Sequence, residues 1–189
     1  MNLRIRPGTM DAAIVAEMKR DVHHVLECVS DNDLVIDAGA YIGTFSLYLK
    51  SVRPAVNIIA IEPMPGNFAI LEENIGKVNG IYLEQKAIVG VQGPTILYDF
   101  GLRASACHSI YDLGITEARK IPVDGITLED VLNKYSLSRV NFLKLDCQGA
   151  EYGIILSASK DILEKNRLYC DGGTWLNTKD GAFTWQDSS

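Results

Sequence analysis

Val35-Ile36-Asp37-Ala38-Gly39-Ala40-Tyr41-Ile42-Gly43 is the stretch that decides the fold of this chain. The apolar run at residues 34–36 predicts a short strand that is covered on both faces, as in a parallel sheet. Gly39 can adopt backbone angles that other residues avoid, and Gly43 allows close packing of the helix predicted from Thr44 to about Val52. The free N–H groups at the start of that helix face whatever binds over the turn. The stretch therefore predicts a strand, a ligand-binding turn and a helix.

The spacing of the glycines distinguishes between cofactors. A dinucleotide-binding turn has the pattern G-x-G-x-x-G, whereas this turn reads D-x-G-x-x-x-G, with Tyr41 where the middle glycine would fall. Asp37 at the strand end would repel phosphates, but its carboxylate suits a cationic ligand. S-adenosylmethionine (SAM) carries both a sulfonium and an α-amino group. We therefore expect SAM at this turn rather than a dinucleotide.

A second strand is predicted over residues 56–61, and it ends in Glu62-Pro63. An acidic residue about twenty positions beyond the glycine turn, at the tip of the next strand, can accept hydrogen bonds from both ribose hydroxyls. The alternative for Glu62 is a solvated loop charge, and its distance from the turn favours the ribose role. Pro65 is typical of a helix start, and Gly76 marks the predicted end of that helix.

The composition is that of an ordinary globular protein, with 189 residues, 47% hydrophobic and 22% charged. This length suits a single domain over residues 1–189. The net charge of -6 argues against nucleic acid or an anionic membrane as a partner. The sequence contains no apolar run of bilayer length, no signal-peptide pattern and no C-x-x-C pair. We therefore expect a cytoplasmic protein with reduced thiols and no metal site.

The regions flanking these strands are predicted with less detail. Residues 1–30 form an N-terminal flank, with an edge strand at residues 3–6 and one helix from Thr9 to about Cys28. A third strand is predicted over residues 81–89, and the small side chain of Ala87 near its end leaves room for an adenine ring. The alternative for Ala87 is a plain strand terminus.

Residues 90–125 are predicted to contain an inserted hairpin, with strands at residues 95–100 and 121–123. Insertions on the ligand side of such a sheet often shape a substrate pocket. His108 lies in this insertion and is a candidate general base, because a base needs a pKa near neutrality. A loop histidine without function is the alternative.

The second half of the chain contains the other predicted chemical site. A capping box at Thr127 begins a helix, residues 140–145 form a fourth strand, and further strands follow at residues 168–170 and about 182–185. Lys144 and Asp146 share one face of the fourth strand, and a lysine in an apolar strand is costly unless it is paired or near a polar cleft. Asp146 and Glu151 are expected at the ligand edge of the sheet. The alternatives are a turn aspartate and a charge at a helix start.

Six segments of the chain together resemble the SAM-dependent methyltransferases of the FkbM family. The segments are residues 3–11, the turn at residues 37–43, Glu62-Pro63-Met64-Pro65-Gly66-Asn67-Phe68, Lys86-Ala87-Ile88, Thr127-Leu128-Glu129-Asp130 and Lys144-Leu145-Asp146-Cys147-Gln148-Gly149-Ala150-Glu151. The resemblance implies an α/β, Rossmann-like class I methyltransferase fold, with a mostly parallel central sheet and helices on both faces. It also implies methyl transfer from SAM to a hydroxyl of a small molecule or sugar.

The residues expected to bind the cofactor are Asp37, Gly39, Ala40, Tyr41, Gly43, Glu62, Pro63, Ala87 and Asp146. The candidate catalytic bases are, in order of preference, Asp146, Glu151 and His108.

Three features depart from the family pattern. Tyr41 stands where the family has asparagine, Gln148 replaces the first glutamate of D-x-E-G-x-E, and the C-terminal part is expected to be abbreviated. These departures keep open a non-catalytic SAM-binding or interaction domain as an alternative function. An NAD-dependent oxidoreductase is a further alternative, against which the missing G-x-G-x-x-G counts.

Overall fold

The computed structural model describes residues 3–21, 23–160, 162, 167–170, 174–177 and 184–187. Its α-helices are α1 (Asp11–Asp21), α2 (His23–Cys28), α3 (Thr44–Val52), α4 (Pro65–Ile75), α5 (Leu128–Lys134) and α6 (Glu151–Ser157). Its strands are β1 (Leu34–Ala38), β2 (Asn57–Ile61), β3 (Ile81–Glu84), β4 (Ala87–Ile88), β5 (Gly93–Asp99), β6 (Arg119–Ile126), β7 (Phe142–Leu145), β8 (Arg167–Cys170), β9 (Thr174–Asn177) and β10 (Thr184–Asp187).

The central sheet has seven strands in the order β10-β9-β8-β7-β1-β2-β3. The pairs from β8 to β3 are parallel, whereas β9 and β10 are antiparallel to their neighbours. The chain runs outward from β1 to β3 on one side, and from β7 to β8 on the other. The strand order therefore reverses between β1 and β7, and open parallel sheets bind ligands outside the carboxyl ends of the strands at such a point.

Helices cover both faces of this sheet. Alternate side chains of β1 point to opposite faces, so that Ile36 and Ala38 share one core with residues of α5 and α6. Val35 lies in a second core with residues of α3 and α4. This two-sided burial explains the continuous apolar runs in the sequence. The predicted Rossmann-like α/β fold is confirmed.

The chain leaves the central sheet between β3 and β4. The single strand predicted over residues 81–89 is wrong, because β3 ends at Glu84 and β4 pairs in parallel with β6 in a separate sheet of order β4-β6-β5. Ile88 is buried against Ile126 and Leu128 in that part of the core. The polar residues Glu84-Gln85-Lys86 lie at the break, and apolar residues resume at Ala87, so the prediction joined two separate strands into one. β5 and β6 form an antiparallel hairpin over residues 93–126.

The N-terminal flank differs from the prediction at residues 3–6. Residues 3–6 form no strand, because side chains satisfy their backbone groups. The Arg4 N–H donates to Asn74 Oδ1 at 2.7 Å, and the Arg6 N–H donates to Asp11 Oδ2 at 2.7 Å. The helix predicted from Thr9 to about Cys28 is matched by α1 and α2, which lie on either side of position 22, a residue outside the described ranges.

The C-terminal strands agree in part with the prediction. β8 matches the predicted fifth strand, and β10 overlaps the strand expected at residues 182–185, of which 182 and 183 lie outside the described residues. β9 was not predicted. It pairs antiparallel with both β8 and β10.

The glycine turn after β1 is closely packed against the carboxyl end of β7. Gly39 has a φ of 78°, and a Cβ atom there would lie 1.9 Å from the carbonyl oxygen of Asp146. Gly43 has a φ of 86°, and its Cβ would lie 2.9 Å from Leu71 on α4. Glycine at these two positions lets the turn fit between β7 and α4.

We predict that Gly39→Ala lowers the free energy of unfolding by roughly 2–5 kcal/mol. This range sums the cost of a left-handed backbone, on the order of 1–2 kcal/mol, and of overpacking, on the order of 1–3 kcal/mol. The matched control is Gly66→Ala in α4, where an added Cβ has no atom within 4 Å. We expect the control to be neutral, or up to about 1 kcal/mol more stable. Urea unfolding measures both, and equal stabilities would contradict the close packing.

Candidate functional site

A pocket of about 290 Å³ opens at the carboxyl ends of β1, β2 and β7. It lies where the strand order reverses, and its volume is near the lower end of the range for ligand pockets, about 300–1,000 Å³. The predicted cofactor residues that line it are Gly39, Tyr41, Glu62, Pro63, Ala87 and Asp146. The structure thus brings together residues from four separate parts of the chain.

The backbone of the glycine turn is held by the end of β2. The N–H groups of Gly39 and Ala40 donate to the carbonyl oxygen of Ile61 at 2.9 and 3.0 Å. Tyr41 has a φ of 54°, which is uncommon for a residue other than glycine. Its N–H donates to Glu62 Oε2 at 2.9 Å. The turn and the acidic residue after β2 therefore form one unit.

Glu62 is a buried carboxyl group at the edge of the pocket, with 6% of its surface exposed. Its Oε1 accepts hydrogen bonds from the Met64 N–H at 3.0 Å and from Asn67 Nδ2 at 3.4 Å. Burial raises the pKa of Glu62 to about 7, even though the bonds from the Met64 and Tyr41 amides lower it in part. A carboxyl group with such a pKa is poised to respond to a hydrogen-bonding ligand near neutral pH.

The ammonium group of Lys144 lies buried between two carboxylates. Its Nζ is 3.1 Å from Asp37 Oδ1 and 3.4 Å from Asp146 Oδ2. It also donates to the carbonyl oxygen of Gly39 at 3.3 Å. Burial would lower the pKa of Lys144, but Asp37 and Asp146 outweigh it and raise the pKa above its usual range. The lysine is therefore charged. Its two carboxylate partners offset the cost of placing a lysine in an apolar strand.

Asp37 lies behind the pocket rather than in its wall. Its side chain is fully buried, and Oδ2 accepts a hydrogen bond from Ser46 Oγ at 2.7 Å. The cation beside it is Lys144, whereas the sequence suggested a cationic ligand. Ala40 and Gly43 likewise do not line the pocket. These three residues act on the pocket through the turn and the lysine.

Asp146 faces the pocket, with 31% of its side chain exposed. Its Oδ1 accepts a hydrogen bond from Gln148 Nε2 at 3.1 Å. A glutamate at position 148 would place a second carboxylate there, whereas glutamine donates a hydrogen bond. The departure at Gln148 therefore holds Asp146 in place.

The carboxylate of Glu151 accepts hydrogen bonds from the backbone of its own turn. Its two carboxylate oxygens accept from the Cys147 N–H at 2.6 Å and from the Gly149 N–H at 2.8 Å. The residue does not line the pocket. Its geometry is that of a carboxylate that caps a helix start, which was the alternative interpretation of the sequence.

His108 lines the pocket from the segment that follows β5. Its side chain is 8% exposed, and Nδ1 lies 3.4 Å from Asp99 Oδ1. Burial lowers the pKa of His108, Asp99 partly offsets this, and Arg6 and Arg119 add to it. The imidazole is therefore neutral near pH 7.

Sequence reasoning missed a network that joins the N-terminal segment to the glycine turn. The hydroxyl of Tyr41 contacts Asp11 Oδ1 and lies 2.6 Å from Ser105 Oγ. Arg6 Nη2 pairs with Asp11 Oδ1 at 2.8 Å. Burial would raise the pKa of Asp11, but hydrogen bonds from Arg6 and Tyr41 lower it to about 2. No local pattern links Asp11 to Tyr41, because the two residues are brought together by the fold.

We predict that Asp37→Asn lowers the free energy of unfolding by about 3–5 kcal/mol, because it removes one charged partner from a buried ion pair. The matched control is Glu73→Gln, which breaks the Arg4–Glu73 pair, whose side chains are 60% and 48% exposed. The control should change stability by less than about 1 kcal/mol. Urea unfolding at pH 7 measures the free energy of unfolding of both variants. A similar small loss of stability in the two would contradict the role of Asp37.

Neither a metal-binding cluster nor a membrane-spanning helix is found in the described part of the chain. No group of three or more His, Cys, Asp or Glu side chains there is arranged to hold a metal ion. Within the same ranges, no helix combines the length and the apolar character needed to cross a bilayer.

Comparisons with known proteins point to one family. Two curated relatives are Methyltransferase 1 of Beauveria bassiana (strain ARSEF 2860), at 28% identity over 145 residues, and Methyltransferase sdnD of Sordaria araneosa, at 25% identity over 178 residues. The alignments cover 66% and 78% of this chain, and the chain spans 58% and 69% of the two relatives.

Among solved structures, precorrin-6y C5,15-methyltransferase from Geobacter metallireducens GS-15 aligns with a TM-score of 0.47 at 12% identity, covering 88% of this chain and 65% of that chain. The Methyltransferase FkbM domain matches residues 37–169, which is more than half of this chain. The chain belongs to the FkbM methyltransferase family.

Proposed function

We propose that this chain is a SAM-dependent methyltransferase that transfers a methyl group to a hydroxyl oxygen of a small molecule or sugar. The observation that carries the proposal is the carboxyl group of Glu62, buried at the edge of the pocket beside the glycine turn. Family membership and the position of the pocket at the reversal of strand order support the same conclusion.

Different residues of the pocket suit the different parts of SAM. Gly39, Tyr41 and the exposed carboxylate of Asp146 suit the methionine end, which carries the cationic groups. Glu62 keeps acceptor capacity for ribose hydroxyls, since a carboxylate accepts about four hydrogen bonds and the structure shows three. Ala87 and Ile88 supply a small apolar surface for adenine.

The protein groups around the pocket orient the reactants and exclude water. When bound, SAM supplies a methyl group on a sulfonium, which is a good leaving group for displacement by oxygen. Lys144 and Gln148 hold Asp146 from two sides. Met10, Ile14 and Met18 from the N-terminal region form an apolar wall of the same pocket. Correct alignment in such an enclosed site supplies a large part of the rate.

We predict that the purified protein binds SAM and S-adenosylhomocysteine (SAH) with micromolar affinity and does not bind NAD(H), as measured by calorimetric titration. Glu62→Gln should weaken SAH binding at least tenfold. The matched control is Glu84→Gln, which changes another buried glutamate at a strand end, held by Lys134 and Tyr135 away from the pocket. NAD(H) binding without SAM binding would contradict the proposal. SAM binding without methyl transfer to any of a broad panel of alcohols would favour the non-catalytic alternative.

We predict that nucleoside binding strengthens about tenfold between pH 6 and pH 8. Ribose hydroxyls donate to the ionised form of Glu62, so binding lowers the pKa of about 7 and releases a proton. The affinity therefore rises with pH below 7 and levels off near pH 8. 5′-Methylthioadenosine is the probe, because it lacks the titratable methionine groups. A flat pH profile in the wild type, or an unchanged slope in Glu62→Gln, would contradict the ribose role.

A further inference from the structure

We propose that His108, oriented by Asp99, is the general base that removes the proton of the acceptor hydroxyl, and that the acceptor is a neutral alcohol with an apolar body. This inference rests on the proposed function and extends it to the base and the substrate class. It changes the order expected from the sequence, in which Asp146 and Glu151 preceded His108.

The two carboxylates preferred from the sequence are already engaged. Both oxygens of Glu151 accept backbone N–H groups. Asp146 is engaged through both oxygens, because Oδ2 contacts Lys144 and Oδ1 accepts a hydrogen bond from Gln148. His108 lines the pocket, and its buried Nδ1 has no hydrogen-bond partner among the described residues.

Asp99 is placed to set the tautomer of His108. It is the last residue of β5 and is 4% exposed. Its Oδ1 accepts the Gly101 N–H at 2.8 Å, and its Oδ2 contacts Arg119. The 3.4 Å distance from Oδ1 to His108 Nδ1 can shorten in a complex, as catalytic hydrogen bonds often do. With Nδ1 as the donor to Asp99, Nε2 carries the lone pair that accepts a proton.

Hydrogen bonds hold the segment that carries His108 at both of its ends. Ser105 Oγ accepts a hydrogen bond from the Met10 N–H at 3.1 Å. Ser109 donates through Oγ to the carbonyl oxygen of Gln148 at 2.8 Å, and its backbone carbonyl accepts the Tyr98 N–H at 2.7 Å. His108 is therefore held next to the loop that carries Asp146.

The charges and walls of the pocket favour a neutral acceptor. Glu17, Glu62 and Asp146 line it, whereas Lys144 is the one cationic side chain among its described lining residues and is already paired with two carboxylates. A carboxylate substrate would be repelled. Leu97 and Ile110 flank the His108 segment with apolar surface.

The proposed step balances in atoms and charge. The acceptor oxygen forms the new O–C bond as the C–S bond of the cofactor breaks, and the sulfonium becomes a neutral thioether. His108 Nε2 takes the hydroxyl proton, and the imidazolium later releases it to solvent. An alcohol needs this help because its own pKa lies far above neutrality, and a positioned base contributes about 10²–10⁴-fold.

The test is NMR of the full chain labelled with ¹⁵N-histidine and saturated with SAH, with His108→Gln used to assign the signal. We expect His108 to be neutral at pH 7.5 with Nδ1 protonated. The charged groups facing it are Asp99, Arg119 and Arg6. Asp99→Asn should therefore lower the pKa of His108 and weaken the tautomer preference, whereas Arg119→Gln should raise the pKa. An Nε2-protonated ring, or a cationic ring at pH 7.5, would overturn the inference.

A matched pair of probes tests the substrate class in the same sample. Cyclohexanol should shift the His108 Nε2 signal, and cyclohexanecarboxylate at the same concentration should not. The reverse order, or no shift with cyclohexanol at 50 mM, would overturn the inference. SAH affinity should stay within threefold in His108→Gln, and loss of binding would assign the ring to the cofactor instead. Failure of the wild type to bind SAH would refute the proposed function itself, so the two failures are distinguishable.

Discussion

The buried ammonium group of Lys144 is the interaction on which the geometry of the site depends. A charge in this position costs several kcal/mol in lost hydration unless carboxylates lie close to it. Asp37 on β1 and Asp146 after β7 both lie within 3.4 Å, so the ion pair joins the two strands where their order reverses. The same lysine binds the carbonyl oxygen of Gly39. Sheet, turn and pocket wall are thereby held by one cation.

The rest of the pocket is built by segments that lie outside the central sheet. The N-terminal segment reaches the glycine turn through Asp11 and Tyr41, and the hairpin region reaches the end of β7 through Ser109 and Gln148. Tyr41 is well suited to this role, because its long side chain reaches Asp11 whereas the asparagine of the family pattern is much shorter. A departure from the family pattern thus has a structural partner in this chain.

The sequence predicted the parallel core and the location of the site, because apolar runs and turn residues are local signals. Glu62 and Asp146 follow predicted strands, so their place at one edge was evident from topology. The role of Asp37 was not evident from the sequence, since its partner Lys144 lies 107 positions away on β7. The exit from the sheet after Glu84 was missed because apolar residues resume at Ala87 after only three polar ones, and the pattern does not show that they belong to a different sheet. Asp99 was missed because only the fold brings it beside His108.

A crystal structure of the SAH complex is the decisive test of the proposed cofactor site. We predict the ribose hydroxyls at the carboxyl group of Glu62, the adenine beside Ala87 and the homocysteine end between Gly39 and Asp146, with the Lys144 ion pair intact. SAH bound elsewhere on the protein, or bound in this pocket with Glu62 turned away from the ribose, would contradict it.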